Sequence, residues 1–164
     1  GGALLSAQRS ALTARPTPNP STPMSMFLLS TGQALLGFAA LTFAHIPIIL
    51  ANRSYLIHTG QRKPNQFEKS RSGSENTFAS RVGMAHANCV ENLVLFASVL
   101  LCNRGYGGAQ LDTLASYYLY ARICQSVTHW ISVSETAIVI RFLFFLPQIV
   151  ILAIMGYKTF ITLR

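Results

Sequence analysis

The sequence predicts an all-α integral membrane protein, a bundle of four spanning helices, and three observations carry that reading. Charged residues make up only 11% of the 164 residues, against 51% hydrophobic ones, whereas soluble domains carry about 25% charge. Mean hydropathy is +0.38, so much of the surface must face lipid. The apolar residues also fall into four runs of membrane-crossing length separated by polar connections, and about 20 apolar residues suffice for each crossing.

Residues 1–25 form an arm with Arg9, Arg15, four prolines (Pro16, Pro18, Pro20 and Pro23) and no acid. That composition is expected of a transit-peptide remnant or a solvated polyproline-like segment. With Gly1 rather than Met at the start, it predicts processing on import into an organelle. The first span, 26–51, contains no formally charged residue and measures about 39 Å as a helix. His45 and Pro47 near its far end predict an interfacial residue and a kink or early exit. The connection 52–80 carries Arg53, Arg62, Lys63, Lys69 and Arg71 against Glu68 and Glu75, a net +3. By the positive-inside rule it faces the cytosol, or the matrix of a mitochondrion. The second span covers about 81–101. A glycine-rich turn returns the chain into the third at about 110–131, and Ser132–Thr136 leads into the fourth at about 137–160. Residues 26–164 thus form one membrane domain, with both termini opposite the basic loop.

The net charge of +8 would suggest nucleic acid in a soluble protein. Here the basic residues flank apolar runs and read as orientation and lipid-headgroup signals; no basic helix supports a nucleic-acid partner. Cys89, Cys102 and Cys124 lie within apolar stretches and have neither disulfide nor metal-ligand spacing, so they read as small buried hydrophobes.

Charged groups inside a span are expensive and mark a site or a buried pair. They are Glu91, Arg122 and Arg141, with Arg81 at the boundary and His86, Asn88, Asn92, Gln125 and His129 beside them. Span directions put them all toward the basic side. At 100° per residue Arg81, Asn88 and Asn92 share a face with Glu91 at its edge, and His86 points elsewhere. Tyr118, Arg122, Gln125, Ser126 and His129 form one stripe on the third span, which must face other helices or a polar cavity. Glu91 could lock the bundle by pairing with Arg122 or Arg141. One carboxylate cannot neutralise two arginines, however, and the surplus suits an anionic ligand. His86 and His129 lie on different spans without cysteine or carboxylate partners, so no metal site is expected.

The stretch Arg81-Val82-Gly83-Met84-Ala85-His86-Ala87-Asn88-Cys89-Val90-Glu91-Asn92-Leu93 resembles the signature of the MAPEG family, the membrane-associated proteins of eicosanoid and glutathione metabolism, and most closely its bacterial-type branch. The resemblance continues through Ala121-Arg122-Ile123 and Val139-Ile140-Arg141 and covers about residues 27–160. It implies a left-handed four-helix bundle assembling as a homotrimer in lipid, with glutathione between protomers. It also implies that Arg141 stabilises the glutathione thiolate, while Arg81, His86, Asn88, Glu91, Arg122 and His129 make up the glutathione-binding and structural set. Two positions depart from the pattern: Met84 stands where many glutathione-using members have an arginine, and His129 where they have a tyrosine.

The expected function is therefore a glutathione-dependent transferase or peroxidase acting on lipophilic electrophiles. The alternative, motivated by Met84, His129 and the arm, is a non-catalytic accessory subunit of a larger organellar membrane complex. A mitochondrial membrane is the expected location, with the endoplasmic reticulum as the other candidate. A transporter finds little support in four spans without discontinuous helices.

Overall fold

The computed structural model describes residues 28–67, 77–105 and 107–162. The arm 1–25 and the loop charges Glu68, Lys69, Arg71 and Glu75 lie outside the described residues. Four helices carry the fold: α1 (Thr31–His58), α2 (Phe78–Gly105), α3 (Asp112–Ile131) and α4 (Glu135–Thr162), with a short 3₁₀ turn at Pro64–Phe67 between α1 and α2. The described residues contain no strand.

Local sequence explains the ends of these helices. Ser30 and Gln33 form a capping box at the start of α1: the Gln33 amide donates to Ser30 Oγ (3.3 Å) and the Ser30 amide to Gln33 Oε1 (2.9 Å), satisfying donors that the helix leaves free. At the other end the Gly60 amide donates to Ile57 O and the Gln61 amide to Leu56 O, with Gly60 at φ +69°. This is the left-handed glycine that commonly closes a helix.

Pro47 neither ends nor exits α1. The helix continues for eleven residues beyond it, to His58, and so passes through the first polar residues of the basic loop. A proline removes one ladder hydrogen bond, and a helix of 28 residues retains enough others to continue. At about 42 Å it exceeds the roughly 30 Å hydrocarbon layer, so its last turns reach beyond the lipid core. There the Arg53 guanidinium lies 5.3 Å from the centre of the buried Phe67 ring, tying the 3₁₀ turn to the end of α1.

α1, α2 and α4 are each long and apolar enough to cross a membrane. They expose large apolar side chains such as Leu36, Phe43, Val94, Leu101, Phe142 and Leu143, an arrangement stable against lipid and not against water. The 20-residue α3 is the more polar helix and packs against all three others. α2 also touches the other three, whereas α1 and α4 lie to either side of the α2–α3 pair.

The bundle is closed by an aromatic cluster drawn from three helices. Phe96 and Tyr118 stack at 4.4 Å with 9° between planes, and Phe38 lies 5.8 and 5.9 Å from them. Small residues let the helices approach. Ala34 and Ala115 are wholly buried, and a Cβ added to Gly37 would lie 2.8 Å from Leu119 Cδ2, closer than real Cβ contacts come. At the opposite end from the basic loop Asn103 holds the α2–α3 turn: its Nδ2 donates to Ala109 O (2.9 Å) and its Oδ1 accepts from Thr159 of α4 (3.4 Å).

The first turn of α3 anchors the start of α1. The Asp112 carboxylate accepts from the Thr31 amide (2.7 Å), and Ser116 Oγ accepts from Leu29 N (2.8 Å) while donating to Leu29 O (3.1 Å). An anion there also meets the positive end of the α1 dipole. Asp112→Ala should lower the stability of the purified protein by about 1 kcal/mol, the usual loss of a helix cap. Asp112→Asn, which keeps Oδ1, should lie between wild type and Ala in the same thermal unfolding experiment.

Candidate functional site

The polar stripe predicted on α3 turns inward. Tyr118, Arg122, Gln125 and Ser126 are buried and His129 is half-buried. The groups facing it form two tiers separated by about 10 Å, the rise of the seven residues from Arg122 to His129.

The deeper tier centres on Arg122, only 1% exposed. Its Nη1 donates to Asn88 Oδ1 at 3.1 Å, and the guanidinium carbon sits 5.5 Å from the Phe38 ring centre and 6.0 Å from that of Tyr118. Among the described residues Nε and Nη2 have no hydrogen-bond partner. Asn88 is itself held by Asn92, whose Nδ2 donates to Asn88 O and Oδ1, both at 2.8 Å. Beside them Cys89 Sγ lies 3.4 Å from Ser126 Oγ. Gln148 of α4, 1% exposed, donates from Nε2 to Gln125 Oε1 (3.1 Å) and Phe144 O (2.7 Å).

The upper tier lies at the basic end and draws on all four helices. Arg141 of α4 donates from Nη1 to His129 Nδ1 (2.8 Å) and from Nε to Ala137 O (3.2 Å). Arg81 of α2 donates from Nε to Trp130 O (3.0 Å). His86 donates from Nδ1 to Thr42 O of α1 (3.1 Å). His45 donates from Nδ1 to Leu41 O (2.7 Å), and its ring packs edge-on against Trp130 at 5.3 Å. His45 is fully buried rather than interfacial, with Nε2 unpartnered, as is Trp130 Nε1.

The predicted residues therefore come together as pairs rather than as one constellation: Arg122 with Asn88, Arg141 with His129, and Arg81 and His86 against backbone carbonyls of α3 and α1. Glu91 stands apart. It is exposed on the outer face of α2, and among the described residues it forms no ion pair with Arg122 or Arg141. Among the described residues the pairing that would have locked the bundle is absent. Among the described residues no group of three potential metal ligands occurs.

A cleft of 350 Å³ opens between α2, α3 and α4, with Asn92, Leu95, Tyr118, Phe145, Gln148 and Leu152 among its lining residues. Its volume falls in the range of small-molecule sites, and its wall is almost wholly apolar. Gln148 lies two turns below Arg141 on the same side of α4, because seven residues nearly complete two turns. Sequence reading passed over Gln148, His45 and Trp130 as site components. A lone glutamine, histidine or tryptophan in an apolar run is ambiguous until its neighbours across the bundle are known.

A model of the MAPEG family matches residues 31–161 of the chain. No curated protein and no solved structure matches it.

Arg122 and Asn88 offer a signed test. Asn88→Ala removes the acceptor that Arg122 finds among the described residues and should destabilise the protein by about 1.5–3 kcal/mol, the range for bonds to charged groups. Arg122→Met in the Asn88→Ala background removes the orphaned charge and should restore most of that loss, since apolar replacements of buried ions are often neutral. Thermal unfolding of the single and double variants measures both effects.

Proposed function

The chain belongs to the MAPEG family, and we propose that it is a glutathione-dependent transferase or peroxidase acting on lipophilic electrophiles, with Arg141 as the group that stabilises the glutathione thiolate. The observation that carries this reading is the relation of Arg141 to the apolar cleft. A guanidinium is fixed at the basic end of the bundle by His129 and Ala137 O, two helical turns above Gln148 in the wall of the 350 Å³ cleft. A water-soluble thiol reaching Arg141 from the basic end and a lipophile entering the cleft from the bilayer would meet between the two.

The chemistry follows from charge. A thiol of ordinary acidity has a pKa of about 8.5, and an adjacent guanidinium favours the thiolate, the form that attacks an electrophilic carbon or a peroxide oxygen. Arg141 cannot give up its own proton, so it stabilises the anion without competing for the proton the thiol releases. The donor set also fits the rest of the tripeptide: cationic Arg81 and Arg141 suit its carboxylates, and the exposed Glu91 suits its ammonium group.

Glu91 supports a second part of the reading. A carboxylate on the outer face of a spanning helix, thirteen residues from its start, is untenable against lipid. We read it as covered by a neighbouring copy in a homotrimer, with glutathione lying between protomers.

Titration of the purified protein with glutathione, following thiolate absorbance, tests the assignment. Wild type should bind and ionise the thiol at millimolar glutathione or below. Arg141→Ala should reduce the thiolate fraction at neutral pH about tenfold, the effect of one unit of pKa. Failure to bind, or undiminished thiolate in Arg141→Ala, sinks the enzymatic reading, and a mass by light scattering other than that of three copies sinks the trimer.

A further inference from the structure

We propose that His129 is the positioning residue of Arg141: it accepts a hydrogen bond from the guanidinium and fixes the edge presented to sulfur, rather than contacting glutathione itself. The inference rests on the glutathione reading above and gives one residue of that site a different task.

Geometry determines the roles of the two nitrogens. The Arg141 Nη1 to His129 Nδ1 distance is 2.8 Å. A guanidinium has only donors, so Nδ1 must be the bare acceptor and the ring proton sits on Nε2. The second restraint on the guanidinium, Nε to Ala137 O at 3.2 Å, comes from the backbone of its own helix. Two bonds from different helices hold a long, flexible side chain in one orientation, and among the described residues Nη2 makes no hydrogen bond. Without His129 only the intrahelical bond remains, and the guanidinium can swing about it.

The surroundings keep this pairing undisturbed. Arg141 from α4, Arg122 from its own helix and His45 from α1 act electrostatically on His129, and among the described residues no carboxylate forms an ion pair with Arg141. The end of α3 is itself fastened, because Arg81 donates to the carbonyl of the adjacent Trp130 at 3.0 Å and the Trp130 ring packs on His45. The helix end that carries the imidazole is thus fastened where it meets Arg141.

The test compares wild type, His129→Phe and His129→Asn as full chains in lipid nanodiscs. Asn retains an acceptor oxygen where His129 has Nδ1; Phe retains the bulk and loses the acceptor. At saturating glutathione, His129→Phe should lose thiolate absorbance about tenfold while its glutathione affinity changes by less than about threefold, and His129→Asn should recover most of the thiolate. A wild type that forms no thiolate overturns the glutathione reading and this inference with it. A wild type that forms thiolate beside an equally competent His129→Phe overturns the inference alone, as does a Phe variant that loses binding and thiolate together. Nitrogen-15 histidine NMR of the unliganded protein gives a readout free of glutathione and of variant folding. His129 should carry its proton on Nε2 in wild type, and a proton on Nδ1 rejects the proposal.

Discussion

A guanidinium buried at the centre of the bundle, with no carboxylate among the described residues to neutralise it, is the constraint on which the rest of the structure depends. Arg122 is 1% exposed, and a bare charge in such surroundings would give up its hydration with nothing in return. The surrounding residues meet part of that demand. Asn88 supplies an oxygen at 3.1 Å, and Phe38 and Tyr118 turn ring faces toward the cation, an interaction that reaches about 2 kcal/mol when desolvated. These partners come from α1, α2 and α3 itself, so satisfying one charge fixes three helices in register. It also explains why the more polar α3 packs against all three other helices.

The same constraint accounts for the order of the polar groups. Asn88 must present its oxygen to Arg122, so its backbone carbonyl and side chain are held by Asn92 one turn later. One residue on from Asn88, Cys89 meets Ser126 of α3. The deeper tier is therefore a set of neighbouring pairs, and among the described residues Arg122 Nε and Nη2 find no hydrogen-bond partner. The upper tier works differently. There Arg81, His86 and Arg141 each take a backbone carbonyl as a partner, which neutralises no charge. Among the described residues no carboxylate pairs with Arg141, as a site for an anion entering from that side requires.

Most of this architecture was legible in the sequence because it follows from periodicity and scarcity of charge. A stripe of Tyr118, Arg122, Gln125 and Ser126 at helical spacing cannot face lipid, and in the bundle it does not. Three things were not legible. Glu91 lies at the edge of a polar face, and a difference of a fraction of a turn decides whether it points inward to an arginine or outward; it points outward. Gln148 sits in an apolar run whose composition is that of any span, and only its meeting with Gln125 across the α3–α4 contact gives it a role. Pro47 was expected to kink α1 or to mark an early exit, and the exit did not occur, because a helix with enough turns on both sides of a proline continues through it.

The two departures from the family pattern are not equivalent, and the difference bears on how the basic end works. Met84 is half-buried on α2 and withdraws a cation from a region that still holds Arg81 and Arg141, so the sign of the local field is unchanged. His129 offers Arg141 a neutral acceptor, Nδ1, since its partner is a guanidinium. A cation held by a neutral acceptor keeps its full charge, whereas a cation held by a carboxylate is largely cancelled. An end of the bundle that holds Arg141 with a carbonyl and an imidazole, while Glu91 faces outward, orients that positive charge without a carboxylate to cancel it.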